Sequence, residues 1–155
     1  MGQAGLNMSR RIRRTPFTDR VEAHGVRGFS VVNHMLLPKA FEADVEDDYL
    51  HLRQHVQIWD VSVQRQVQII GPDAARLVQI MTPRDLRGAE TGQCLYVPLI
   101  DQNASMLNDP VLLKLAEDRF WLSIADSDIL LWARGLAIGM GPVSYTHLTL
   151  PTTYT

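Results

Sequence analysis

The chain has 155 residues, 46% of them hydrophobic and 21% charged, with a formal net charge of −2. That is enough for one ordinary domain with a real core, and its charge exerts no general pull toward nucleic acid. The single cysteine, Cys94, excludes an internal disulfide and fits a reducing, cytoplasmic setting, and no apolar run approaches the roughly 18 residues that span a bilayer.

Residues 1–8 carry little pattern and are expected to be disordered. Arg10, Arg11, Arg13 and Arg14 form a basic cluster, but no apolar stretch follows and acidic residues arrive at once, so a targeting presequence competes with a solvated arm. Residues 21–41 mix short apolar runs with Gly25, Gly28 and Pro38. Phe29 to Val32 reads as a short strand, and Met35 to Pro38 as an irregular apolar segment that packs in the core.

The spacing predicts a helix over Asp44 to Ile58. Val45, Tyr49, Leu52, Val56 and Trp59 fall on one face of a 3.6-residue period, and Asp44, Glu46, Asp47 and Asp48 crowd the positive end of its dipole. His51 and His55 stand one turn apart, as chelating residues do, but lie off that stripe and have no third ligand nearby, so no metal is expected. Val61 to Ile70 reads as a strand with Val63, Val67 and Ile69 on one face and Gln64, Gln66 and Gln68 on the other. Gly71-Pro72-Asp73 opens a second helix whose buried face is Ala74, Leu77, Val78 and Met81, ended by Thr82-Pro83. Arg84 to Gly92 is a polar loop.

Cys94 to Pro110 is the most informative stretch. Leu95, Val97 and Leu99 alternate with Cys94, Tyr96, Pro98 and Ile100, and Asp101 to Ala104 supplies a turn. Between this and the next apolar run, Val111 to Leu115, sits Asn108-Asp109-Pro110, three poor interior strand residues. They predict a bulge or break, which either aims a side chain at a ligand or leaves Asp109 in solvent at a hairpin kink. A third strand, Phe120 to Ala125, leads through Asp126-Ser127-Asp128 into a final helix to about Leu136. Strand, helix, three strands, helix is the order of a ferredoxin-like α+β fold, an antiparallel sheet with helices on one face. That plan expects one more strand. The chain instead changes character at Pro142, with five threonines and no Asp, Glu, Lys or Arg through Thr155, and residues 142–155 read as a non-native tail from sequencing-adapter read-through.

Several segments carry a family resemblance: Ser9 to Phe17, Asn33-His34-Met35-Leu36-Leu37-Pro38, Trp59-Asp60-Val61-Ser62, Met81-Thr82-Pro83-Arg84-Asp85-Leu86, Leu95-Tyr96-Val97-Pro98-Leu99 and Asn108-Asp109-Pro110. Together they resemble the T protein (aminomethyltransferase) family of the glycine cleavage system, and most of all its members that demethylate dimethylsulfoniopropionate. The resemblance covers about residues 9–141 and implies the N-terminal part of a longer folate-binding fold. It implies tetrahydrofolate as cofactor and methyl transfer from a small sulfonium acid as the reaction. The enzyme would work without nucleic acid, membrane or metal, and the full-length form admits a homodimer.

By that resemblance Asp109 is the catalytic residue, and Tyr96, Asn108 and Asp109 bind the folate. Trp59 and Trp121 are the aromatic residues expected to hold a sulfonium through cation–π attraction. The family has two aspartates where this chain has Asn108 and Asp109, which counts against aminomethyl chemistry, since one acid–base group is gone. Two alternatives stay open: an aminomethyltransferase with a lipoyl carrier protein as partner, and a folate-binding module without catalysis. The 155-residue chain is itself expected to be an incomplete, inactive enzyme, with Trp132 and Leu136 in an exposed apolar patch beside the last helix.

Overall fold

The computed structural model of the chain describes Ser9 and residues 11–141. They fall into two compact units, the first ending at Val63 and the second beginning at Gln64.

The first unit contains α1 (Thr18–Ala23), β1 (Gly28–Val32), β2 (Met35–Ala40) and α2 (Val45–Gln54). Strands β1 and β2 form an antiparallel hairpin. Its turn residues Asn33 and His34 have φ of 50° and 63°, the left-handed pair whose twist suits a two-residue hairpin. Met35 to Pro38, expected to be irregular, is therefore strand, and its proline is tolerated because the ribbon has only two strands. Arg14 leaves the basic cluster to pair with Asp19 and Glu22, so at that position the arm belongs to the fold. Asp60 anchors the end of the unit. Its Oδ2 accepts the Thr15 hydroxyl at 3.0 Å, and its Oδ1 accepts the Ser62 N–H at 3.0 Å and the Ser62 hydroxyl.

Helix α2 starts at the expected residue but ends at Gln54, and it buries none of its side chains. Its apolar stripe has the right period and no cover: Val45 is 85% exposed and Leu52 51%. The helix is held from its ends instead. Asp44 Oδ1 accepts the N–H groups of Glu46 and Asp47 at 3.0 and 2.9 Å, a cap of about 1 kcal/mol.

The second unit contains β3 (Gln66–Ile70), α3 (Ala74–Met81), β4 (Cys94–Tyr96), β5 (Leu99–Ile100), β6 (Met106–Asn108), β7 (Val111–Ala116), β8 (Arg119–Ser123) and α4 (Ile129–Gly139). Four strands form an antiparallel sheet in the order β3-β8-β7-β4, and β5 and β6 pair separately. This is the expected α+β class, with α3 carrying the chain from one edge of the sheet to the other. The strand expected over Val61–Ile70 is shorter, because residues 61–65 are irregular.

Alternation explains the two faces of the sheet. Val67 and Ile69, Leu112, Phe120 and Leu122 point to one side, where Leu77, Val78 and Met81 of α3 and Ile129 and Ala133 of α4 close the core. Trp132 and Leu136, expected to be exposed, pack against this core; the exposed large apolar residues of α4 are Leu131 and Ile138. The closing strand and the tail at 142–155 lie outside the described residues, as does the N-terminal segment 1–8.

Leu112 is fully buried at the centre of the sheet. Leu112→Ala should lower unfolding free energy by about 2–5 kcal/mol through lost contacts and a residual cavity. Leu52→Ala on the uncovered α2 stripe should change it by less than about 0.5 kcal/mol. Urea midpoints of the two variants check the contrast.

Candidate functional site

The ribbon that begins at β4 does not run straight. Residues 97–98 interrupt one strand directly opposite residues 109–110 in the other, and each gap contains a proline that cannot donate to a ladder. Val97 N–H donates to Pro110 O at 3.0 Å, the last ladder bond before the bend. Beyond it, β5 and β6 leave the main sheet as a separate hairpin. Asp101 closes that hairpin by accepting the N–H groups of Asn103 and Ser105 at 2.8 and 2.9 Å.

The bend separates two neighbouring residues. Asn108 is only 5% exposed. Its Oδ1 accepts the Ala125 N–H at 3.0 Å, and its Nδ2 donates to Ser127 Oγ at 2.6 Å. Ser127 Oγ in turn donates to Leu107 O at 2.8 Å. The amide expected at the cofactor is thus turned inward, where it stitches the ribbon to the residues before α4. Ser127, read from the sequence as a helix cap, serves this stitch; the residue in the N-cap position, Asp128, makes no side-chain cap bond.

Asp109 points the other way. Its Oδ2 accepts the Tyr96 hydroxyl at 3.1 Å. The structure therefore brings together the two residues on which the sequence argument rested most, at a bend between strands as expected. The hydrogen bond to Asp109 is the main cause holding the Tyr96 phenol above its ordinary range, with desolvation and the carboxylate charge adding to it. Tyr96 is therefore a protonated donor at neutral pH, and it engages one of the two Asp109 carboxyl oxygens.

Tyr96 sits on the face of the sheet away from the helices. Register places Gln66, Ser123, Val111 and Tyr96 in one cross-strand row, and Gln68, Trp121, Leu113 and Cys94 in the next. Trp121 is half-buried and fixed: its Nε1 donates to Gln68 Oε1 at 2.8 Å, where Arg119 Nε and Nη2 also donate at 3.1 and 3.0 Å. Gln66 Nε2 donates to Ser123 Oγ at 2.8 Å, while Gln66 Oε1 is buried without a partner. The period-two run of glutamines was visible in the sequence, but its place on the same face as Tyr96 needed the strand order. Trp59 belongs to the first unit and is 71% exposed. His51 on α2 and His55 just past its end are exposed, with their rings 4.7 Å apart. No group of three or more metal-ligating side chains stands together among the described residues. No helix among them is long and apolar enough to cross a membrane.

Residues 17–152 match the GCVT N-terminal domain family. The chain is 52% identical over 138 residues to a dimethylsulfoniopropionate demethylase, DmdA, of Ruegeria pomeroyi, an overlap of 89% of this chain and 38% of that protein. It is 25% identical over 122 residues to an aminomethyltransferase of Lysinibacillus sphaericus, covering 79% of this chain and 33% of that one. The crystal structure of the glycine cleavage system aminomethyltransferase T from Bartonella henselae superposes with a TM-score of 0.71 at 25% identity, over 85% of this chain and 37% of that one. The chain thus spans little more than a third of the length of these relatives.

Two expectations follow from the bend. Asn108→Ala should cost about 1–3 kcal/mol, since it strands buried hydrogen-bonding groups, whereas Asp109→Ala should cost less than about 0.5 kcal/mol; urea denaturation compares them. The raised Tyr96 phenol favours the contact with Asp109 at every pH below the ordinary tyrosine value near 10, and the contact is lost as pH rises through the raised value. Asp109→Asn should bring the phenol back toward its ordinary value in a tyrosine-ring NMR titration, with Tyr96→Phe identifying the signal.

Proposed function

This chain belongs to the family of the GCVT N-terminal domain, and on that premise we propose that it supplies the folate-facing part of a tetrahydrofolate-dependent methyltransferase that demethylates dimethylsulfoniopropionate. The observation that carries the reading is the Tyr96–Asp109 pair, held outward at the strand break. The 52% identity to a dimethylsulfoniopropionate demethylase supports the choice of substrate.

The chemistry asks little covalent work of the protein. A sulfonium methyl is already activated, because the sulfur leaves as a neutral thioether. Tetrahydrofolate, held by Asp109 and Tyr96, would supply the nucleophilic nitrogen, N5, that takes the methyl group as sulfur leaves, and the proton that nitrogen carried would pass to solvent. The products are a methylthio acid and 5-methyltetrahydrofolate. The protein must align N5 with the methyl carbon and keep water out. Asp109 is assigned two tasks: its second carboxylate oxygen accepts a hydrogen bond from a folate ring N–H, and its charge stabilises the cation developing at N5. Tyr96 aims that carboxylate. Asn108 is assigned a positioning role from the inside of the bend. Trp121 offers an aromatic surface for the sulfonium on the same face as Tyr96.

Aminomethyl transfer is the weaker reading, since the only acid at the break is Asp109. Titration of the chain with tetrahydrofolate, followed by tryptophan fluorescence, should give saturable binding. Asp109→Ala should weaken it about tenfold or more, as expected for a lost charge-assisted hydrogen bond, and Tyr96→Phe should weaken it less. Binding that Asp109→Ala leaves unchanged would sink the assignment. In a longer chain carrying this segment, methyl transfer that demands a lipoylated carrier would favour the aminomethyl alternative.

A further inference from the structure

The loop after α3 reads from the sequence as an ordinary polar connection, yet it is fixed along its length. Thr82 at its start and Leu86 four residues on are buried. From α3, Gln79 straps it twice: its Oε1 accepts the Leu86 N–H at 2.8 Å, and its Nε2 donates to the Arg84 carbonyl at 2.8 Å. Thr82 Oγ1 accepts the Arg84 N–H at 3.2 Å. The result is a rigid mount for one side chain, Arg84, whose Nη1 donates to the Tyr96 carbonyl at 2.6 Å.

That carbonyl lies on the free edge of β4. Leu95 faces Leu112 in the ladder, Val97 N–H and Gln93 O also turn to β7, and the carbonyl of Tyr96 is left pointing outward. Arg84 covers it. One bond to a carbonyl uses one of the five guanidinium donors and neutralises no charge. The acid next in sequence is not available to it, because Asp85 is held bidentately by Arg87, with Nε to Oδ1 at 2.9 Å and Nη2 to Oδ2 at 2.7 Å. That partner holds the exposed Asp85 down at about 2, so the pair is ionised at neutral pH. Among the described residues no carboxylate pairs with Arg84. A fixed cation with unused parallel donors thus stands at one end of Tyr96, while the phenol at the other end meets Asp109.

We propose that Arg84 binds a carboxylate of a ligand at the Tyr96–Asp109 site. The proposal rests on the folate reading, which supplies two ligands with such a group: the glutamyl tail of tetrahydrofolate and the acid end of the sulfonium substrate. Guanidinium suits either, since its planar donors match a carboxylate two at a time and the mount has already removed much of the side chain's freedom.

Arg84→Gln keeps a donor for the Tyr96 carbonyl and removes the charge; Arg84→Lys keeps the charge and loses the fork. The wild-type chain and both variants are titrated with tetrahydrofolate, with 6-methyltetrahydropterin, which lacks the glutamyl tail, and with dimethylsulfoniopropionate. Thermal melts show which variants fold. The expected result is that Arg84→Gln weakens one carboxylate ligand about tenfold or more, that Arg84→Lys recovers part of it, and that the tailless pterin binds unchanged. Loss confined to tetrahydrofolate identifies the glutamyl tail; loss confined to the sulfonium acid identifies the substrate. Equal weakening of all three, pterin included, reduces Arg84 to an edge cap and overturns the proposal, as does no change in any. A wild-type chain that binds neither folate nor pterin overturns the folate reading itself and this proposal with it.

Discussion

Proline has no N–H to give a ladder, and here two prolines stand at the same level of one ribbon. Pro110 accepts from Val97 N–H but cannot return the bond, and Pro98 faces Asp109 from a position whose nitrogen points away from the partner strand. Pro98 and Pro110 lie in facing gaps, so the strands break together and the pair bends as a unit. A single proline would have left a bulge on one side. The double break detaches the β5–β6 hairpin and lets Asn108 and Asp109, adjacent in sequence, face opposite environments. One joins the interior network with Ala125 and Ser127, and the other meets Tyr96 on the outside. The Tyr96–Asp109 contact depends on that divergence.

How much of this the sequence revealed varies with the kind of signal. Helix α3 was legible because its apolar period and its breakers agreed, and because its stripe is in fact buried. Helix α2 had an equally regular stripe, but periodicity reports a face and not its cover. A ten-residue helix without burial is marginal by propensity alone, so its Asp44 cap carries more of its stability than its leucines do. Strand β2 was hidden by Pro38 and by a turn, Asn33-His34, whose left-handed pair is less obvious than Asn-Gly. For α4, Gly135, Gly139 and Gly141 suggested an end near Leu136, yet the helix runs to Gly139 and reverses only near Gly141, where φ reaches 87°. Trp132 and Leu136 were misjudged because their burial depends on which face of α4 meets α3, a tertiary fact. Asp109 could be singled out from the Asn-Asp-Pro break together with the family resemblance, and Tyr96 from the resemblance alone, but the distance between them could not. Arg84 left no trace, because a loop residue's partners are set by straps such as Gln79 that no local pattern encodes.

The inward turn of Asn108 also bears on the chemistry. Its amide does two things at once: its oxygen accepts a fixed backbone donor, Ala125 N–H, which settles the orientation of the group, and its nitrogen donates to Ser127. Ser127 has one hydroxyl proton, and that proton is spent on Leu107 O. An aspartate at this position could accept from Ala125 but could not donate to Ser127 unless it were itself protonated. Ionised, it would have to take the Ser127 proton and leave the Leu107 carbonyl without that partner, at a cost of about 1–3 kcal/mol for a buried unsatisfied group. Asn108 and Ser127 are thus a matched pair by proton count. The same substitution removes a second carboxylate from beside Asp109, and with it the mutual repulsion that lets paired acids share a proton and trade it with a substrate. Asp109 is left as a lone carboxylate with a neutral neighbour and a phenol donor, suited to stabilising a cation and poorly suited to shuttling protons. Methyl transfer from a sulfonium needs the first of these abilities at the reacting nitrogen, and its leaving group needs no proton at all.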